Sequence, residues 1–142
     1  MRFGTCTWVF GDEPLETISQ RAATVGLDGV ELYGDLSLDP RATRAVFKKR
    51  SLEIFSLTPA NVDLGHPNAS IRQSALEYYL RLVEFAAALG TPIVSCHGYV
   101  GRVRALENER AEKNWMIEAT RRIARHAETR GVCVAIELLN RY

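Results

Sequence analysis

Val132-Cys133-Val134-Ala135-Ile136-Glu137-Leu138-Leu139-Asn140-Arg141-Tyr142 closes the chain, and its reading decides the fold. The run is rich in β-branched residues and carries no charge before Glu137. That composition suits a strand covered on both faces, as in a parallel sheet. A lone carboxylate at the carboxyl end of such a strand is costly to bury without a partner. A metal ion or a substrate is the usual partner, so the rest of the chain is read for a site built around Glu137.

Four strand–helix units precede this stretch. Residues 2–8 alternate enough for a first strand, and Asp12-Glu13-Pro14 offers a capping acid and a proline to open a helix. Leu15, Ile18, Ala22 and Val25 share one face of that helix, and Gly26 fits its left-handed stop. Gly29-Val30-Glu31-Leu32 reads as a second strand, and Asp39-Pro40 opens a helix through Ala42, Ala45 and Val46. Leu52 to Leu57 is a third strand, followed by a long loop containing Thr58, Asn61 and His66. Ser70 caps a third helix striped by Ile71, Ala75, Tyr78, Leu82, Phe85 and Leu89, which Gly90 ends. Pro92 to His97 is a fourth strand. A helix over roughly 109–130 follows, with Met116, Ala119, Ile123 and Ala127 inward and a solvated basic cluster (Arg121, Arg122, Arg125, His126, Arg130) toward its end.

Strict alternation of this kind implies parallel strands joined by crossovers. An open doubly wound sheet and part of an eight-stranded barrel both satisfy it. A dinucleotide-binding sheet would place a glycine-rich turn after the first strand, whereas this chain has Trp8-Val9-Phe10-Gly11-Asp12. Side-chain alternation favours the barrel. Cys133, Ala135 and Glu137 oppose Val132, Val134 and Ile136, Ser95 and His97 oppose Val94 and Cys96, and Gly29 and Glu31 oppose Val30 and Leu32. One face is small or polar near each carboxyl end and the other is aliphatic, as a barrel interior opening onto an active site requires.

The 142 residues form a single domain (1–142) with a net charge of +1. Lys and Arg are spread along the helices, which argues against a nucleic-acid surface. No run approaches membrane-spanning length. Cys6, Cys96 and Cys133 lack metal-type spacing and read as buried free thiols of a cytoplasmic protein. The carboxyl ends of the strands gather Thr7, Glu31, Thr58 with Asn61, His97 and Glu137. A histidine and two carboxylates there suit Mg²⁺, Mn²⁺, Co²⁺ or Zn²⁺. Glu137 is the hardest of these to explain structurally, and His66 reads as a loop or lid residue.

Phe3-Gly4-Thr5-Cys6-Thr7-Trp8, Asp28-Gly29-Val30-Glu31-Leu32, Ser95-Cys96-His97-Gly98 and above all Ala135 to Tyr142 resemble the xylose-isomerase-like TIM barrels. That group spans sugar phosphate isomerases/epimerases, ketose 3-epimerases, hydroxypyruvate isomerases, inosose dehydratases and, more distantly, endonuclease IV. The resemblance implies a divalent metal at the barrel mouth, held by Glu, Asp, His and Glu from the fifth to eighth strands, of which Glu137 matches the first. It implies that Glu137 binds metal and takes part in proton transfer through an enediolate, with Trp8, Glu31 and His97 near a sugar or sugar phosphate.

Such barrels run to about 250 residues, whereas this chain stops after the fifth strand. The expectation is therefore a partial TIM (β/α)₈ barrel, β-α units 1 to 4 plus the fifth strand. It would be inactive alone for want of downstream ligands, and a homo-oligomer through its exposed strand edges. Two alternatives stand beside it. An endonuclease IV-like phosphodiesterase is disfavoured by a third-strand end without histidine and by the near-neutral charge. The other is a non-catalytic half-barrel that binds a partner along its open edge.

Overall fold

Five parallel strands pair in chain order: β1 (Gly4–Cys6), β2 (Gly29–Tyr33), β3 (Glu53–Thr58), β4 (Ile93–Cys96) and β5 (Cys133–Ile136). Between them run α1 (Leu15–Thr24), α2 (Pro40–Lys48), α3 (Ala69–Leu89) and α4 (Glu109–Thr129). This computed structural model describes residues 1–98, 102 and 104–137; Leu138 to Tyr142, the end of the closing motif, lie outside the described residues. Each helix packs on the next, and the outward strand residues Val30, Leu32, Leu57 and Val94 are buried beneath them. The architecture is the α/β partial barrel expected, with the core between sheet and helices. Phe47, Tyr79, Leu82, Val83 and Ile123 fill that layer.

Local chemistry places the helices, with differences from the sequence reading. Asp39 caps α2 as expected, its carboxylate accepting from Ala42 N at 2.7 Å ahead of Pro40. α3 is capped by Asn68, which accepts from Ser70 N at 2.8 Å, so Ser70 is the capped residue and not the cap. Asp12 does not cap α1, which begins after Pro14 with no side-chain cap. β1 is three residues long, because Thr7–Phe10 turn into a 3₁₀ segment instead of extending the strand to Trp8. Val25 lies past the end of α1 and is 72% exposed. On α3 the second tyrosine, Tyr79, is the fully buried one, while Ile71 faces solvent. The half-buried Tyr78 donates to Gly34 O at 2.8 Å and accepts from Ala60 N at 2.7 Å. Burial pushes its phenol up to about 12, so it stays a donor and ties the ends of β2 and β3 to α3.

The closing strand departs most from its reading. β5 sits at the sheet edge; Cys133, Ala135 and Ile136 are exposed, Ile136 by 59%. Of the three free cysteines expected to be buried, Cys96 is, Cys6 is half-buried and Cys133 is exposed. The apolar run is real, but only Val132 and Val134 are drawn under the helical layer.

The inner face has a floor and a rim. At the floor, β3 bulges: Val30 pairs with Ile54 but Glu31 pairs with Ser56, leaving Phe55 as the extra residue. Its ring lies over Gly4 and Gly29. A Cβ on Gly29 would stand 2.7 Å from the ring and 2.4 Å from the Glu53 carbonyl, so these strands need glycine there because Phe55 occupies the space. The rim loops are clamped by charge. Arg102 bridges Asp63, in the loop after β3, at 2.7 Å and Glu112, on α4, at 2.6 Å. The fully buried Glu112 also accepts from the amides of Leu106, Glu107 and Asn108 at 2.8–3.2 Å. Burial alone would raise its carboxyl, but the Glu107 amide, the Arg102 guanidinium and the other two amides outweigh that and hold it down at about 2.

Two outcomes follow. Gly29→Ala should lower unfolding free energy by about 2 kcal/mol through overpacking against Phe55 and the Glu53 carbonyl, read as a lower urea midpoint at unchanged slope. Glu112 binds its proton less readily folded than unfolded, so its stabilisation is complete above its ordinary value of 4.5 and is lost as pH falls through about 2. The melting-temperature gap between wild type and Glu112→Gln should therefore be constant from pH 7 to 5 and close progressively below that.

Candidate active site

Glu31 stands at the centre of the inner rim. Its carboxylate accepts from the Thr58 hydroxyl on β3, from Ser95 Oγ on β4 at 3.3 Å and from Cys6 Sγ on β1 at 3.5 Å. Donors from three strands thus converge on an acid carried by the second. Such charge-assisted bonds are stronger than neutral ones and fix the side chain that accepts them. Burial, then the charge and hydrogen bond of Glu31, then the charge of Glu137 push the Cys6 thiol up to about 11. Cys6 is therefore held as a neutral S–H donor within the field of both carboxylates.

His97 and Glu137 form the second group. They follow β4 and β5 directly, and the Glu137 amide donates to Cys96 O at 3.1 Å, continuing the strand pairing to the site. His97 Nε2 stands 3.1 Å from Glu137 Oε2. The imidazole is 7% exposed and the carboxylate 46%, so Glu137 is not deep in the protein as its apolar flanks suggest. It is braced by a buried ring and open to solvent. Gly98, at φ +76°, turns the chain away at once; a Cβ there would lie 2.3 Å from Met116 Sδ, and its carbonyl accepts from Leu64 N at 3.2 Å. The backbone around His97 is thus held by α4 on one side and by the loop after β3 on the other.

The other sequence candidates separate from this pair. Trp8 lies on the 3₁₀ segment, 46% exposed, lining a cavity beside the rim with Tyr33. Thr7 is buried, its hydroxyl accepting from Tyr33 N at 3.2 Å, and serves the turn. Asn61 is exposed. His66 accepts from Asn68 N at 3.0 Å, and its carbonyl accepts from Arg72, whose guanidinium stacks 4.0 Å above Trp115, so it belongs to the α3 entry. Within the basic cluster, His126 and Arg130 each approach Glu84 of α3 at 2.7 Å, while Arg121, Arg122 and Arg125 are exposed.

Sequence reading missed the residues that organise the site: Cys6 and Ser95 as partners of Glu31, and the Asp63–Arg102–Glu112 clamp. Asn108 ahead of the fourth helix is a capping residue type that marks its start, but it does not mark Glu112 as part of the clamp. Nothing local in Asp63 or Arg102 marks them, since their pairing spans two loops.

An imidazole and a carboxylate at neighbouring strand ends fit a divalent cation as two of its donors. The His97 Nδ1 atom is buried and makes no hydrogen bond among the described residues, so the ring is not committed to a structural network there. Among the described residues no group of three or more His, Cys, Asp or Glu side chains comes together. The fit is to part of a coordination shell.

Solved structures with the same fold include three that cover nearly all of this chain. D-allulose 3-epimerase from Methylomonas sp., in complex with D-allulose, matches 100% of it with a TM-score of 0.84 at 22% identity. 3-keto-D-glucoside 4-epimerase from E. coli matches 100% with a TM-score of 0.83 at 20% identity. A xylose isomerase-like TIM barrel protein from Mycobacterium smegmatis, in complex with magnesium, matches 98% with a TM-score of 0.74 at 17% identity. The chain spans 55%, 57% and 55% of these proteins, respectively. The family pattern of the xylose isomerase-like TIM barrel matches residues 19–142, and this chain belongs to that family.

Proposed function

We propose that this chain supplies one side of the active-site mouth of a divalent-metal-dependent sugar, or sugar phosphate, isomerase/epimerase. The observation that carries the reading is the Glu137 carboxylate, half open to solvent and braced at 3.1 Å by the buried His97 ring, at adjacent strand ends of a family barrel. The solved epimerases that share the fold support it.

A divalent cation held by Glu137, with His97 beside it, would supply charge to polarise a ketose carbonyl. Glu137 accepts the proton released when the neighbouring C–H bond breaks, leaving an enediolate in the sugar. His97 keeps that carboxylate pointed at the substrate, Glu31 lines the β1–β2 side, and Trp8 stands outside it at the exposed rim. Return of a proton to the opposite face needs a second acid, which we assign to residues outside 1–137. On this reading the isolated 142-residue polypeptide is inactive, and the activity belongs to the whole barrel.

The first test is proton exchange. In the full-length protein with Mn²⁺ and a ketohexose in D₂O, deuterium should enter the carbon beside the carbonyl. Glu137→Gln should slow this by about 10²–10⁴-fold, and chelation should suppress it in wild type. Incorporation that survives Glu137→Gln would end the assignment. A second test concerns the isolated polypeptide. Its outer strands β1 and β5 present unpaired backbone flanked by Phe3 and Ile136, 57% and 59% exposed, which favours pairing with another copy. Sedimentation of residues 1–142 at micromolar concentration should show dimers or larger species, and a stable monomer would rule this out.

A further inference from the structure

Hydrogen-bond direction at the inner rim is fixed by chemistry. A carboxylate has no proton to give, so the three groups within reach of Glu31 all donate to it. Thr58 and Ser95 turn their hydroxyl protons onto Oε1, Ser95 at 3.3 Å, and Cys6 turns its S–H onto Oε2 at 3.5 Å. The thiol keeps its proton, because burial and the charge of Glu31 hold it above its ordinary range. Each of these side chains has a single polar hydrogen, and each has committed it. At the neighbouring strand ends His97 Nε2 faces Glu137 Oε2 at 3.1 Å, and the other ring nitrogen is buried.

What these side chains leave open to a ligand is acceptors. A carboxylate offers roughly four lone-pair sites, so three donors leave Glu31 one to spare, and the Thr58 and Ser95 oxygens keep theirs. Glu31, Thr58 and Cys6 are half-buried, so solvent reaches this wall, while Ser95, 8% exposed, backs it. The cation of the loop after β4, Arg102, is held by Asp63 at 2.7 Å and by Glu112 at 2.6 Å. A sugar hydroxyl donates to such a wall. An ionised phosphate or carboxylate brings acceptors and a like charge, and both oppose binding.

The wall and the reacting pair share an element. Ser95, which serves Glu31, and His97, which braces Glu137, stand two residues apart at the end of β4, about 7 Å along the chain. Cys6 feels the charge of Glu137 as well as that of Glu31, so the two acids flank one mouth. A ketose that reacts at Glu137 therefore turns one end toward Glu31. We infer that Glu31 is a specificity-determining residue: by drawing the Thr58, Ser95 and Cys6 protons onto itself it leaves a wall that accepts hydrogen bonds, and the end of the substrate lying there is a free hydroxyl and not a phosphate. This rests on the proposed sugar isomerase/epimerase reading and narrows its substrate to one unphosphorylated at that end.

The test is equilibrium binding of D-fructose, its 1-phosphate and its 6-phosphate to the full-length protein. One of the two phosphates should bind about tenfold or more weakly than the free ketose, and which one it is tells which end of the substrate meets Glu31. In Glu31→Gln the carboxamide donates, and that gap should narrow by about threefold or more. A general loss of packing would weaken all three ligands alike and leave their ratio standing. Thr58→Lys, which sets an ammonium beside the same carboxylate, should narrow the gap too if Glu31→Gln folds poorly. No saturable binding of the free ketose, equal binding of the three probes, or a gap that survives in both variants would overturn the inference. The reading beneath it fails separately, through deuterium exchange. Exchange without discrimination removes the role of Glu31 alone, whereas Glu31-dependent discrimination without any exchange removes the isomerase assignment and leaves a hydroxyl-selective sugar site.

Discussion

One carboxylate sets the geometry of the mouth. Glu31 draws a hydroxyl from β3, a hydroxyl from β4 and a thiol from β1 onto two oxygen atoms. Backbone pairing alone would hold these strands in register, yet it would leave a row of polar side chains free to rotate above the core. The Glu31 bonds give each of them one orientation, and so define which space remains for a substrate. An acid in that place costs desolvation, and three donors offset it. His97 and Glu137 repeat the principle on a smaller scale at the next strand end, where a buried ring steadies an acid that solvent still reaches.

Much of the fold was legible because parallel strands and their crossover helices write a strong pattern. The glycine stop at Gly90 and the Asp39-Pro40 opening each mark a boundary that the backbone obeys. Where local signals competed, the choice was made by tertiary contacts. Asn68 outcompeted Ser70 as the α3 cap, and Tyr79 took the core position because its side of the helix meets β4. The exposure of β5 was illegible for a different reason. A run such as Val132 to Ile136 looks the same whether its outer edge is covered or open.

The site was legible in its residue types and not in its grouping. Glu31, His97 and Glu137 could be picked out because each is polar at the end of an apolar run. Their division into a Glu31 centre and a separate His97–Glu137 pair depends on strand spacing and on side chains such as Ser95 and Cys6, which are too ordinary to stand out. Trp8 left the group because the chain turns into a 3₁₀ segment after Cys6, carrying the indole outward to the rim.

The Arg102 clamp carries a constraint on how this protein can change. Asp63 and Glu112 come from different elements, and a single guanidinium between them keeps two acids in one niche. Exchange of Arg102 for a neutral residue would leave those acids facing each other, while loss of the Glu112 carboxylate would release three backbone amides at the start of α4. No one of the three positions can drift alone without a stability cost. Across descendants of this sequence they should be inherited or replaced as a set, which makes the loops bordering the mouth less free to diversify than their surface position would suggest.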